Sequence, residues 1–529
     1  MCDRARSAGS ALRVFKEVQV MSEEHAGDMA AAESVPRPTR RSVIQTGAMA
    51  AAAGCVATQG NPLLAQATNR PSASSANVWL LGRSSFGVTP EMIRDANQRG
   101  IGGWVDWQLE PEQINDTDLD AKLASFDWLG SSAAELLDHP TKEPWDLGHE
   151  YRAIRLLRAT FSKRQLFERI VEFWTDHFNV YGSADDTWLL KIIDDTEIIR
   201  ANALGKFRDL LHATAKSPAM IAFLDNDTNV VGAPQENYAR EVMELHTLGV
   251  AGPYTENDVR ELARCFTGWT FWKPWEDASR YGTFRYRSGM HDNGPKTVLG
   301  VNIPAGGGIS DAETVLDLLA SHPSTVDFVT RKLARWLLGY APPEGVVEEA
   351  KAMWVATDGD IREVVRLLLS PRYVRAARPW AEPKLKRPFH WIVSLYRATG
   401  IDLPRPTDTI WMIFGMGQVP FQWPAPNGYP DVEASWGSSL MPRWSQASWF
   451  AQGWYWSTDH TIDDMRALLD GTPMSRWAQH LNERFTGGTM RRRDVQRIQA
   501  YINTFSQPTN QIVGEAIELT ASSPSFGRY

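Results

Sequence analysis

The chain has 529 residues, a net charge of −8, 43% apolar and 22% charged residues. Those are the proportions of a folded protein with a sizeable core. An acidic balance of this kind speaks against nucleic acid and anionic membrane surfaces as partners. Tryptophan is unusually frequent at 22 residues, and ten of these fall in the last 150 positions. Such a load predicts either an aromatic core or a ring surface for binding.

Residues 1–67 read as a leader. Met21 offers an alternative start, and Thr39-Arg40-Arg41-Ser42-Val43-Ile44 is a twin-arginine pattern. An Ala-rich run and the small-x-small site Ala65-Gln66-Ala67 follow in the order of an export signal. The expected destination is the periplasm or the exterior. Ala52-Ala53-Gly54-Cys55 overlaps as a lipoprotein box, so membrane attachment is expected only if Cys55 is lipidated. Cleavage after Ala67 leaves Cys265 alone, and packing rather than disulfides must hold the fold. Residues 68–77 form a polar linker.

From Val78 the pattern is mostly helical. Ser162 and Gln165 read as a capping box. The helix after them places Leu166, Phe167, Ile170, Val171, Phe173, Trp174, His177 and Phe178 on one face, with Glu168, Arg169, Glu172 and Asp176 opposite. A further helix is expected over 197–216, and Leu224-Asp225-Asn226-Asp227 is a polar loop.

The densest set of functional groups lies in 234–249, a helix opened by Pro234 and closed by Gly249. On a wheel of about 100° per residue, Glu236, Asn237, Arg240, Glu241 and Glu244 share an arc of about 140° with Thr247 and Leu248. His246 falls in the apolar arc with Tyr238, Ala239, Val242, Met243 and Leu245. Two readings stand side by side. In one, the face is a solvated lattice of ion pairs. In the other it lines a cleft, where Arg240 keeps one carboxylate ionised, a less solvated one donates protons, and Asn237 orients substrate.

Thr255 and Asp258 cap the next helix, which Gly268 closes. Residues 283–287 alternate, Asp292-Asn293-Gly294 supplies a turn, and 296–299 returns, so one small β-hairpin with His291 at its tip is expected. Helices resume over 311–319, 324–338, 346–354 and 361–369. The Trp- and Pro-rich part, 371–529, is irregular at 371–388 and 415–437 and helical near its end. The fold class is mostly α, one large helical domain over 78–529.

His177 and His246 each sit in an apolar arc. With Asp225, Glu241 and Asp292 they are candidate acid–base groups or metal ligands, or else buried structural histidines. At least one is expected to hydrogen bond one of those carboxylates. Trp269, Trp272 and Trp275 are candidates for stacking on sugar rings, with His291 beside them. No HExxH, GxSxG, GxGxxG or P-loop pattern occurs, and no cofactor is assigned.

The stretches Leu80–Gly87, Phe173-Trp-Thr-Asp-His-Phe178, Leu204–Leu210, Ser217–Met220, Leu224–Asn226, Glu236–Glu241, Glu244–Gly249, Leu262–Trp269, His291–Lys296 and Ser321–Pro323 together resemble a bacterial family, domain of unknown function 1800. Gly417–Phe421 and Pro424–Trp436 are similar to its Pro-rich motif, with Tyr429 where Trp is expected. The resemblance implies an exported helical protein that accompanies a second exported, sulfatase-like family (DUF1501). It implies no activity, so no catalytic residue carries over. The function expected first is hydrolysis of an envelope or extracellular polymer such as polysaccharide. The alternatives are a non-catalytic binding or secretion-partner protein and a metal or redox protein.

Overall fold

The computed structural model describes residues 76–183, 187–377, 383–455 and 457–529. The leader, its cleavage site and most of the linker lie outside the described residues. Two apolar clusters organise the rest. The first is drawn from positions 78–374 together with Phe421. The second is drawn mainly from 389–526 and takes in Phe86, Leu119 and part of one long helix.

That helix, α1 (Pro144–Phe161), serves both clusters. Leu147, Tyr151 and Ile154, at i, i+4 and i+7, face the first. Ala153, Leu156, Leu157 and Ala159 face the second. A helix buried on two sides has no wide polar face left, and His149, Arg152 and Arg155 are buried with it.

The next helix, α2 (Gln165–His177), departs from the sequence reading. Its apolar stripe packs as expected, and burying Leu166, Ile170, Phe173 and Trp174 contributes roughly 1.5–3 kcal/mol each. The opposite side is buried too. Glu168 pairs with Arg155 at 3.1 Å and with Arg200, and Arg169 pairs with Glu172 at 2.6 Å. Paired charges can be enclosed at a cost that unpaired ones cannot meet. The expected capping box is absent. The Gln165 amide instead donates to the Ala159 and Ser162 carbonyls, and the helix starts at Gln165 itself.

The helix expected over 197–216 is broken. Residues Asp194–Ile199 are π-helical, and a new helix runs Phe207–Ala215. At the break Phe207 N–H donates to Gly359 O. The central helix also changes register. It is α-helical as α3 (Glu236–Glu241) and π-helical over Val242–Thr247. Leu248 N–H donates to Met243 O at 2.8 Å, an i→i+5 bond. The wider turn rotates the chain beyond it, so Thr247 and Leu248 are buried, as is Glu241 at the junction.

Helix α4 (Glu256–Phe266) has the expected Thr255–Asp258 capping box. The β region is not one hairpin but two two-stranded antiparallel sheets. Strand β1 (Trp269–Phe271) pairs with β2 (Phe284–Tyr286), and β3 (Lys296–Val298) pairs with β4 (Val301–Ile303). The β3–β4 turn is Leu299-Gly300, both with positive φ, the conformation a two-residue hairpin turn requires. Helices α5 (Ile309–Ser321), α6 (Pro323–Leu337), α7 (Pro388–Thr399), α8 (Pro406–Phe414) and α9 (Leu440–Ala451) complete the frame around the site. No helix among the described residues is long and apolar enough to cross a membrane.

Candidate functional site

The charged arc of the central helix is a half-buried ion-pair lattice. Arg240 holds both Glu256 oxygens, at 2.9 and 2.6 Å, and Glu236 at 3.3 Å. Glu244 is half-buried, and burial pushes its carboxyl above the usual range. Asn237 is committed to the neighbouring loop. Its amide donates to Asp225 Oδ2 at 3.2 Å and to Leu224 O, clamping a turn in which Asp225 is left-handed.

The histidines are buried among rings, away from the carboxylates expected for them. His177 Nε2 lies 3.0 Å from His246 O, and its Nδ1 lies 2.8 Å from Lys332 Nζ. His246 Nε2 has no hydrogen-bond partner among the described residues. Burial drives the His246 imidazole down to about 3 and the His177 imidazole well below its ordinary value, so both are neutral at pH 7. Neither hydrogen bonds Asp225, Glu241 or Asp292, which corrects that expectation. Asp292 is instead held by Arg264 at 2.7 Å, and the buried His291 faces Asp311 at 3.1 Å, beside Lys296. His291 is therefore a core residue, not a hairpin tip open to substrate.

The three candidate tryptophans do not share a surface. Trp269 is fully buried, Trp272 lies between Arg280 and Arg285, and Trp275 is 80% exposed. Among the described residues, the carboxylates close enough together for a cation are Asp327, Glu344 and Glu348. Arg331 and Lys351 already pair with all three.

The structure draws attention elsewhere, to the carboxyl end of α2. Glu172, Thr175, Asp176 and Asn179 line a small cavity with Arg387 and Tyr429. Arg387 bridges the two acids, reaching Asp176 at 2.6 Å and also Glu172. Burial pushes the Asp176 carboxyl up to about 6. Arg387 offsets this only in part, and Glu172 adds to it. Such a shifted group beside a charged partner in a cavity is a physical mark of a functional site.

A strap over 418–431 roofs the cavity. Asn179 Nδ2 donates to Trp423 O at 3.0 Å and to Ala425 O at 2.7 Å. Gly182 N–H donates to Phe421 O, and Tyr429 Oη bonds Val419 O. At the strap's end, Asp431 takes Lys384 at 2.6 Å. Gly428 lies so close to α2 that a Cβ there would stand 2.0 Å from Asp176 O. Sequence reasoning missed Glu172, Asp176 and Arg387 as site residues. The signal available was that Phe173–Phe178 and 417–436 are both family-like stretches, and the fold brings them together.

Beside the strap lies an aromatic surface. Trp145, Trp411 and Phe414 are 46%, 42% and 40% exposed. Their rings connect, Trp145 to Trp411 at 5.8 Å and Trp411 to Phe414 at 5.4 Å, with His149 stacked under Trp145 at 5.3 Å. Below them Arg152 lies 4.1 Å from the Trp188 ring and 5.8 Å from Phe414. Trp188 packs against Gly182, and Tyr151 stacks on Phe421 of the strap at 5.7 Å. Contacts thus run without a gap from the exposed rings to the cavity roof.

A family model described as "Protein of unknown function (DUF1800)" matches residues 79–528. Neither a curated protein nor a solved structure matches the chain.

Proposed function

We propose a function for a chain that belongs to the DUF1800 family: an exported protein that binds a carbohydrate polymer and hydrolyses it. One observation carries this reading. The half-exposed rings Trp145, Trp411 and Phe414 continue through Arg152 and Trp188 to the strap over a pair of carboxyl groups.

Aromatic faces with half their area in solvent suit the apolar faces of sugar rings. Glycoside hydrolysis needs one carboxyl still protonated near neutral pH and a second acidic group close by. Asp176, pushed up to about 6 by burial, fits the proton donor, and Glu172, held by Arg169 and Arg387, fits the second. The cavity is small and the 418–431 strap lies across it, so on this reading substrate entry requires the strap to lift. The twin-arginine pattern at Arg40-Arg41 supports export, and the exported DUF1501 protein remains the proposed partner.

The small volume of the cavity favours a second reading, binding without cleavage. Purified protein would be sedimented with peptidoglycan and with insoluble polysaccharides while released reducing ends are measured. Binding with release that Asp176→Asn abolishes supports hydrolysis. Binding without release leaves the second reading, and no binding to any polymer overturns both.

A further inference from the structure

Most buried lysines of this protein have an aspartate. Lys191 pairs with Asp194, Lys296 with Asp311 at 2.7 Å, and Lys384 with Asp431 at 2.6 Å. Lys332, on α6, differs from these, as does the buried Lys386, whose amine faces the Phe526 ring at 4.0 Å. The Lys332 Nζ meets His177 Nδ1 at 2.8 Å, and no carboxylate pairs with it among the described residues. The residue is half-buried, while the imidazole its amine touches is 2% exposed.

The hydrogen bonds fix the tautomer. His177 Nε2 faces the His246 carbonyl oxygen, an acceptor only, so Nε2 carries the ring proton. Nδ1 then presents a lone pair, and the Lys332 amine donates to it. Phe173, Trp174, Phe178, Phe207 and Phe328 surround the imidazole. The orphaned Nε2 of His246 completes a wall without an anion. Asp176 and Asp431 act on Lys332 only at longer range, opposed by Arg335, and burial pushes the amine down to about 8. An amine in such surroundings favours its neutral, nucleophilic form.

We infer that Lys332 is a nucleophilic amine that condenses with small aldehydes, with His177 Nδ1 as its proton acceptor. The nitrogen lone pair attacks the carbonyl carbon, and a C–N bond forms as the C=O π pair moves to oxygen. His177 Nδ1 takes a proton from nitrogen and returns it to that oxygen. The oxygen leaves as water with the two amine hydrogens, and an imine remains. No oxidant or reductant takes part in that condensation.

The test is reductive trapping on the full chain. Protein is treated with acetaldehyde and sodium cyanoborohydride, and ethylation of each lysine is followed by peptide mass spectrometry. At about pH 7.5, Lys332, its amine pushed down to about 8, should be modified at least about tenfold faster than the exposed Lys163 and Lys206, which are ion-paired with Asp118 and Asp358. His177→Gln should lower the Lys332 rate and leave the exposed sites unchanged. Should that variant fail to fold, the pH profile of the unaltered protein decides. A Lys332 midpoint near 8 supports the assignment. A midpoint matching the exposed lysines, or a rate no faster than theirs, overturns it.

Discussion

The Arg387 guanidinium lies 2.6 Å from the Asp176 carboxylate, joining residues 211 positions apart in the chain. The same guanidinium holds Glu172, and Arg387 is buried. One cation from the start of α7 thus neutralises two acids on α2. Arg387→Met should leave both acids enclosed without their shared partner and cost about 3–5 kcal/mol in urea unfolding. Adding Glu172→Gln and Asp176→Asn should recover part of that loss. A single variant as stable as the parent would show that the pair carries no such weight.

The Asp176 carboxyl also sets a pH dependence. Its folded value is raised to about 6, against about 3.9 in an unfolded chain. Between about pH 4 and 6 the folded state therefore holds a proton that the unfolded state has released. This group's contribution falls as pH rises through that window and levels off above it. Melting temperatures of parent and Asp176→Asn, measured from pH 4 to 7.5, should diverge accordingly, with the parent losing ground as pH rises. Parallel curves would mean that Asp176 titrates normally.

The aromatic surface makes a separable prediction. Trp145→Ala and Trp411→Ala should each weaken polymer binding by about 1 kcal/mol, roughly fivefold. Both rings already have nearly half their surface in solvent, so melting temperature should move little. Sedimentation with insoluble polysaccharide reads the first effect and calorimetry the second. Lost stability with intact binding would reassign the rings to packing.

Export by the twin-arginine route is a proposal that rests on the Arg40-Arg41 pattern. Replacing Arg40 and Arg41 together by lysine should hold the precursor in the cytoplasm, read by fractionation and immunoblotting. Recovery of the double variant in the periplasm at the parent level would refute the twin-arginine route.

Much of the helical frame is legible in the sequence because it rests on local signals. The Thr255–Asp258 cap and the Leu166–Trp174 stripe need no knowledge of distant chain. The candidate site is not legible for the converse reason. Glu168, Glu172 and Asp176 read only as the side opposite the apolar stripe, since the arginines that enclose them come from positions 155, 200 and 387. The π-turn at Val242–Thr247 misleads in another way. A wheel at α-helical pitch cannot anticipate i→i+5 bonding, so it groups Thr247 and Leu248 with Arg240, whereas both are buried. Alternation over 283–287 and 296–299 reveals strands but not their partners. The pairing of β3 depends on the Leu299-Gly300 turn that brings β4 back.

The strap supplies the last prediction. Gly428 has φ +68, a left-handed conformation that side chains rarely adopt. A Cβ added there would stand 2.0 Å from Asp176 O and 2.7 Å from its carbonyl carbon, so backbone must move. Helix α2 is fixed by its buried stripe and charge pairs, whereas the strap has no helix or strand of its own and is tied by the Asn179 and Gly182 bonds, by Gln418 and by Asp431. The strap is therefore the part that yields. Gly428→Ala should cost about 1–3 kcal/mol. It should also open the Asp176 cavity to water and restore that carboxyl toward its ordinary range, flattening the parent's pH dependence of stability. Limited proteolysis should cut between 418 and 431 faster than in the parent. A variant that loses stability while strap cleavage and pH profile stay unchanged would show that the displacement is taken up by α2, and the roof over Asp176 would not be a movable one.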